Sequence, residues 1–462
     1  NDDYVKFLRY GQYFIEKNGS GLLAFINPHG FLDNPTFRGM RWNLLKTYDK
    51  IYTLDLHGNA KKKEIALDGG IDQNVFDIEQ GVAITIFVKT GKKKSTELGQ
   101  VFNYDLYGKR EFKYDFLNNN SIETIKYKKL PNISPNYFFV SKDFDEQSNY
   151  DLGFSLSDLF ILNNVGIVTA RDGFTIHKTK SELEKTIQDF LSLDDEEARN
   201  KFNLGKDVRD WQVGFAKKDL KTNYPEKGEL TKLSYRLFDD RWTFYTGNSK
   251  GFHCYPRTDV MQHFLKGKNV GLSLCKQFKT GNNYVHVFIS NKIIESSFVS
   301  NRTSEITSIF PLYLYPKNSI QQKTDNTKEE RKPNLNIAIV KQIADKIGLT
   351  FTNEKENDNK TFAPIDVLDY IYAVLHSPTY REKYKEFLKI NFPRVPYPKD
   401  KNTFWQLVKL GGEIRTFHLL ENPKSEDYIT TYPINGNNIV LKPRYDNGKV
   451  WINESQYFEG VS

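Results

Sequence analysis

A chain of 462 residues, 38% of them hydrophobic and with 34 Phe and 27 Tyr, can build two or three cores rather than one. Its two cysteines, Cys254 and Cys275, form no CxxC pair, which argues against a disulfide-built secreted domain and for a reducing, cytoplasmic setting. No run approaches the roughly 20 apolar residues of a membrane span. The net charge is +8, and residues 201–300 alone hold seventeen Lys+Arg against nine Asp+Glu, so the whole excess sits in one aromatic-rich block. Such a block is either a basic solvated surface or a face for a polyanion.

The opening Asn1-Asp2-Asp3-Tyr4 is neither a start methionine nor a signal peptide, and the chain reads as starting in mid-domain. Tyr4, Phe7, Leu8, Gly11, Phe14 and Ile15 follow helical spacing, and Asn18-Gly19-Ser20-Gly21 stops that helix. Leu22 to Ile26 suits a buried strand. Asp33 or Asn34 caps a helix with Pro35 in its first turn, expected to run to about Tyr48. Ile51 to Leu56 and Val82 to Val88 are two further strands, separated by a Lys- and Gly-rich loop. From about Gly91 short aromatic strands are expected, among them Tyr137 to Val140, Ile167 to Ala170 and Val285 to Ser290, with one helix at Ser181 to Leu191. Asn318 to Lys332 reads as a linker. Leu368, Ile371, Tyr372 and Leu375 then share one helical face, Ser377-Pro378 caps a helix carrying Tyr380, Tyr384, Phe387 and Leu388, and the last sixty residues return to strands and turns. No internal repeat is present.

Several segments together resemble a known family. Asp3 to Phe7 (DYVKF), Gly21 to Asn27 (GLLAFIN), Phe37 to Arg41 (FRGMR), Tyr52 to Asn59 (YTLDLHGN), Asn74 to Ile78 (NVFDI) and Gly81 to Ile84 (GVAI) are similar to the later motifs of adenine-N6 DNA methyltransferases. The nearest flavour is that of type ISP and type IIG restriction–modification enzymes. Gly166 to Asp172 (GIVTARD), Asp240-Arg241-Trp242, Pro256-Arg257, Met261 to Phe264 and the long block Phe362 to Pro398 resemble their target-recognition domains.

The resemblance implies an α/β class, with the back half of a Rossmann-like methyltransferase domain at 1–125. An α+β target-recognition domain at 126–335 and a helical and C-terminal part at 336–462 would follow. It implies double-stranded DNA as partner and S-adenosylmethionine as cofactor of the intact enzyme. The family's glycine-rich cofactor turn and its Asn/Asp-Pro-Pro-Tyr/Phe tetrad are not in this sequence. Both are expected upstream, in a missing N-terminal part of the same polypeptide, leaving this fragment inactive alone.

Asn27-Pro28-His29-Gly30 mimics the tetrad but offers no ring to stack on an extruded base, and reads as a strand exit. In the resembled family Phe76 would touch the target adenine; otherwise it is core. Lys61, Lys62 and Lys63 are a charge run suited to phosphates, as is Lys92-Lys93-Lys94. In the basic block Arg236, Arg241, Arg257, Lys276 and Gln277 sit among Trp242, Tyr245, Tyr255 and Phe278; arginine and glutamine can read guanine and adenine edges. Lys266 and Lys268 suit phosphates. Asp240-Arg241-Trp242 favours an internal ion pair with ring packing over base reading, while Thr169 and Arg171 fit either role. His253, His263 and His286 share no metal spacing and read as packing or hydrogen-bonded residues. The alternative function is a non-catalytic nucleic-acid-binding module on a methyltransferase-like scaffold.

Overall fold

Tyr4, Leu8 and Gln12 fall one turn apart and turn inward together, so the chain opens with an amphipathic helix, α1 (Asp3–Asn18). It ends where Gly19 takes a left-handed φ of 82° and donates its amide to Glu16. The computed structural model describes residues 2–60, 64–66, 68–277, 284–300, 305–316, 331–358 and 360–461. After α1 come β1 (Gly21–Pro28), α2 (Arg38–Thr47), β2 (Lys50–Asp55), β3 (Val82–Lys89), β4 (Gln100–Asp105), α3 (Arg110–Asn119) and β5 (Lys128–Leu130). The expected helix from Pro35 is broken in two. Asn34 does cap it, accepting from Thr36 N at 2.9 Å, but Pro35–Phe37 is a 3-10 turn and α2 starts only at Arg38.

The five strands lie in the order β1-β3-β2-β4-β5. β3 is antiparallel to both neighbours, β4 is parallel to β2, and β5 is antiparallel to β4. β1, β2 and β4 therefore point the same way. Their exits, and the entry to β3, meet at one end of the sheet. Leu44, Leu45 and Tyr48 of α2 pack with Tyr4, Leu8, Ile51, Phe87 and Val101, a core that runs on through Leu130 and Phe139. A smaller cluster of Leu54, Leu56, Val75, Val82 and Leu106 is covered by Phe116 and Leu117 of α3. Among the described residues β1 is paired only on its β3 side, and Leu22 and Ile26 on one of its faces stay 63% and 51% exposed.

The rest of the chain is mixed α/β with several further sheets. Val287–Ser290, Gly271–Cys275, Thr307–Pro311 and Asn164–Val165 form an antiparallel sheet in that order, and every residue of its three longer strands is buried. Alternate side chains feed two cores. Leu272, Leu274, Val287, Ile289 and Phe310 meet the helices Ile337–Ile347, Pro364–His376 and Lys401–His418, while Phe288 and Ile309 meet Ile167, Leu233, Val260, Met261 and Ile293. Glu229–Arg236 and Asp239–Tyr245 make a hairpin. Trp211 is fully buried in a fifth cluster with Phe174, Phe190 and Leu220, built largely from the helices Lys180–Ser192 and Val213–Asn223.

Five further local expectations need correcting. Tyr137 to Val140 forms no strand: Tyr137 has φ 48°, and Phe138 and Phe139 turn into the core as isolated plugs. Ile167 and Val168 make single bridges to two different partners, Glu295 and Tyr255, instead of a continuous strand. The stretch after Gly91 is not strand-dominated, since α3, Val213–Asn223 and Thr258–Leu265 are helical. The last sixty residues begin inside the helix Lys401–His418. Pro364–His376 is buried on all sides rather than on one face. Residues 318–330 of the expected linker lie outside the described residues; Lys332-Pro333 pairs with Tyr313-Leu314. Among the described residues no helix is long and apolar enough to cross a membrane.

Candidate nucleic-acid interface

The convergent end of the first sheet is filled by a buried network of imidazoles and carboxylates. Asp55, the last residue of β2, lies 2.9 Å from His29 Nδ1 and accepts the His57 backbone amide at 3.0 Å. His57, at φ 51°, stacks on Tyr107 with ring centroids 3.8 Å apart and places Nε2 3.0 Å from Asp105. Its Nδ1 faces Glu64 at 3.9 Å, while His29 Nε2 meets the Asn59 amide at 3.3 Å. Burial alone would depress the His57 imidazole. The charge of Asp55, with hydrogen bonds to Asp105 and Glu64, outweighs it and lifts the group to about 10. Burial pushes the Asp55 carboxyl up, yet the two imidazoles hold it below its ordinary range. Donor atoms of His29, Asp55 and His57 lie within 4.8 Å of one another, close enough to share a metal ion. All four ring nitrogens already face polar partners, so hydrogen bonding accounts for the arrangement. Asn27 and His29 are buried, which makes Asn27-Pro28-His29-Gly30 a packed strand exit.

Beside this network runs the loop that carries Phe76. Asp72 accepts from Gly58 N at 2.6 Å and Gly108 N at 2.7 Å, and pairs with the fully buried Lys113 at 2.9 Å. Gly58 is required here: its φ is 75°, and a Cβ would lie 2.4 Å from the Asn74 Cα. Four consecutive carbonyls are then captured by α3. Gln73 O accepts from Lys113 Nζ at 2.7 Å, Asn74 O from Arg110 Nε at 2.7 Å, Val75 O from the Tyr114 hydroxyl at 2.6 Å and Phe76 O from Arg110 at 3.0 Å. The Phe76 amide donates to the Asn74 side chain at 2.9 Å. A tightly held backbone thus presents a ring that stays 43% exposed.

The basic block forms a second cluster. The Tyr235 ring has the Arg236 guanidinium carbon 3.9 Å from its centroid and that of Arg241 at 4.2 Å, and its hydroxyl donates to Asp172 at 3.0 Å. Arg236 pairs with Glu295 at 2.5 Å. Arg241 grips Asp239 through two nitrogens, at 3.0 and 2.7 Å. The internal ion pair expected around Arg241 exists, but with Asp239 and Tyr235 instead of Asp240 and Trp242. The buried Thr169 hydroxyl donates to Asp172. Arg171 donates to the carbonyls of Leu204 (2.6 Å) and Lys206 (3.1 Å) over the Trp211 ring. The structure therefore gathers Thr169, Arg236 and Arg241 around Asp172 and Tyr235, while the Arg171 guanidinium is held apart at Leu204, Lys206 and Trp211.

The other predicted residues stand apart from that cluster. Arg257 sits at φ 56° before Thr258–Leu265, with its guanidinium 5.0 Å from the Tyr255 ring. Lys266 donates to Pro316 O at 2.6 Å, and Lys268 is exposed. Lys276 is exposed with its amine 5.8 Å from the Phe392 ring, and Gln277 donates to Ile390 O at 3.1 Å. Lys61, Lys62, Lys63 and Phe278 lie outside the described residues. Lys93 of the second lysine run donates to Lys46 O and Glu97 O, both at 2.9 Å. The three histidines are hydrogen-bonded: His253 to Thr243 at 2.8 Å, His263 to the Tyr315 amide at 2.9 Å, and His286 to Glu305 at 3.1 Å. The sequence reading assigned no role to His57, Asp72, Arg110, Lys113 or Tyr114. The available signal is a histidine just past two of the strands that share this end, His29 immediately after β1 and His57 two residues after β2.

The sequence from residue 158 to 462 matches the Type ISP C-terminal specificity domain. The chain belongs to that family. No curated protein sequence matches it. Among solved structures it is similar to the ATP-dependent Type ISP restriction–modification enzyme LlaBIII bound to DNA, at 21% identity and TM-score 0.73, covering 99% of this chain and 29% of that one. It is similar to DrdV in a DrdV–DNA complex, at 20% identity and TM-score 0.70, covering 99% of this chain and 45% of that one. A nuclease-deletion mutant of the Type ISP enzyme LlaGI with a DNA substrate mimic gives 18% identity and TM-score 0.68, covering 99% and 35%. At these identities the likeness is one of fold, and this chain spans less than half of each. The Asp172–Tyr235 cluster lies within the Type ISP specificity match. Phe76 and the His57 network precede it, in the part shared with the solved structures by fold alone.

Proposed function

We propose that this chain reads a specific site in double-stranded DNA and presents an extruded adenine for N6-methylation, within a larger restriction–modification polypeptide. The observation that carries the reading is the Type ISP specificity match, joined to a fold that follows LlaBIII and DrdV bound to DNA, and LlaGI with a DNA substrate mimic, over 99% of the chain. We read the first sheet as the back half of a Rossmann-like methyltransferase domain. Support comes from β3 running antiparallel between the mutually parallel β1 and β2, and from the free edge of β1, where further chain would add strands. Phe76 is the residue proposed to contact the target base.

S-adenosylmethionine would supply the methyl group. Among the described residues, the exits of β1 and β2 are filled by the buried His29, Phe31, Leu32 and His57, so these strand ends do not fit a nucleoside cofactor. We place its site elsewhere in the polypeptide. Calorimetry on this chain should show no cofactor binding, and micromolar affinity would overturn that placement.

The main test compares binding and methylation in the intact polypeptide. Duplex binding should weaken with salt by roughly 0.9 in the log–log slope per neutralised phosphate. Phe76→Ala should lose on the order of 1–3 kcal/mol of base contact, lowering the methylation rate while DNA affinity stays near wild type. A salt slope near zero would remove the DNA reading. Equal losses of rate and affinity, with a lowered Tm, would show that Phe76 is structural.

A further inference from the structure

We infer that Arg110 and Tyr114 of α3 are positioning residues for methylation, acting by holding the Phe76 loop in its presenting geometry; this rests on the reading of Phe76 as the target-base contact. Residues 110, 113 and 114 lie on one helix face, spaced i, i+3 and i+4. From that face Lys113, Arg110 and Tyr114 capture the carbonyls of Gln73, Asn74, Val75 and Phe76 in unbroken succession. Arg110 spans two of them with different nitrogens and also pairs with Asp77 at 2.8 Å. The grip is reciprocal, because the Gln73 side chain accepts the Arg110 backbone amide at 3.1 Å and so caps the first turn of α3.

A loop of this kind needs no such clamp merely to cover the sheet end. Val75 alone turns into the apolar cluster, while Phe76 is exposed and Asp77 is almost fully solvated. Fixing the four carbonyls from Gln73 to Phe76 instead orders the backbone beneath a ring that stays 43% exposed. That outlay makes sense where the ring must meet a partner without reorganising, since displacing a positioning element by about 1 Å can cost 100-fold in rate. Arg110 and Tyr114 reach the target base only through Phe76, so their effect should vanish once that ring is gone.

The experiment is a double-mutant cycle in the intact polypeptide, with methylation measured on duplexes that keep the target adenine and base extrusion read on matched duplexes carrying 2-aminopurine there, which has no N6 amine to methylate. Single-turnover methylation, DNA affinity, 2-aminopurine fluorescence and Tm are measured for Arg110→Ala, Tyr114→Phe, Phe76→Ala and the two pairs with Phe76→Ala. Tyr114→Phe keeps the ring and its packing and removes only the hydroxyl that holds Val75, so it stays interpretable if Arg110→Ala folds poorly. The expected result is a methylation rate about 10- to 100-fold lower for Arg110→Ala and a smaller drop for Tyr114→Phe. DNA affinity should be unchanged, 2-aminopurine emission should be altered, and neither change should add a further loss once Phe76 is alanine. Multiplicative losses in the pairs, or rates unchanged in Arg110→Ala and Tyr114→Phe while Phe76→Ala is impaired, would overturn the positioning role alone. A silent Phe76→Ala would overturn it together with the base-contact reading.

Discussion

Replacing Lys113 by methionine keeps most of the side-chain length and removes the charge. Lys113 and Asp72 are both fully buried and 2.9 Å apart, and the ammonium also donates to Leu56 O and Gln73 O, each at 2.7 Å. Breaking a buried pair from one side costs about 3–5 kcal/mol, because the remaining charge has no partner. Asp72 keeps two backbone donors, the Gly58 and Gly108 amides, which places its share near the lower end, about 3 kcal/mol. Two carbonyls left facing a thioether add roughly 1 kcal/mol each. A loss of about 5 kcal/mol is comparable to the whole stability of a small domain. It should appear as opening of the end of the sheet, seen in deuterium exchange of peptides covering residues 50–60 and 70–80. Lys113→Met combined with Asp72→Asn should recover part of the loss: the unmatched charge is gone, but the asparagine NH2 opposes one of the two backbone amides that the carboxylate accepted. A destabilisation below about 1 kcal/mol, or no recovery in the double variant, would refute the claim that charge compensation holds this node.

The His57 imidazole is lifted from an ordinary 6.5 to about 10. A raised value contributes stability that is complete below 6.5 and fades as pH rises toward 10, so denaturant melts should show the protein weakening across that window. His57→Gln should remove that component of the slope; identical wild-type and variant slopes between pH 7 and 10 would count against a charged His57. Gly411 of Lys401–His418 packs onto Pro364–His376 so closely that a Cβ would lie 1.8 Å from the Asp369 carbonyl oxygen and 3.1 Å from Ala373 N. Gly411→Ala should therefore destabilise by about 2 kcal/mol or more, although alanine favours an unconstrained helix by about 1 kcal/mol. Gly39→Ala in α2, where nothing lies within 4 Å, should be neutral or stabilising in the same melts.

Elements whose sequence pattern and packing agree were legible. The helix α1, the apolar runs of β2 and β3 and the Ser377 cap satisfy local and tertiary demands at once, whereas Phe7 and Phe14 of the α1 spacing stay exposed and β1, read as a buried strand, is an edge strand with Leu22 and Ile26 open on one face. The reading failed where the two demands part. Tyr137 to Val140 has strand composition, but its rings serve as plugs from an irregular backbone, and no ladder is available to it. Lys401–His418 carries two adjacent glycines, a helix-weakening signal that the close approach to Asp369 overrides. At the candidate site, the resemblance carried by Asn74 to Ile78 points to Phe76, yet composition could not show that Arg110, Lys113 and Tyr114 would serve its carbonyls. Those partners lie 34 to 40 residues away in sequence and meet only through the sheet.

The fate of the basic residues follows from the same geometry. Arg171, Arg236 and Arg241 are held by carbonyls, carboxylates and aromatic faces, uses that suit a planar fork of donors. Each internal ion pair removes one positive and one negative charge, so pairing cannot erase the excess of +8. That excess must sit on residues that reach solvent, among them the exposed lysines 218, 221, 268 and 276. A lysine on a flexible stem is a point charge, suited to phosphates and blind to sequence. On the proposed reading, affinity for DNA then comes mainly from lysines spread over the surface. On that same reading sequence choice depends on Arg236 and Arg241, whose orientation the Tyr235 and Asp172 contacts fix. Neutralising the exposed lysines should lower binding to every duplex alike, while loosening the Tyr235 contacts should change which duplex is preferred.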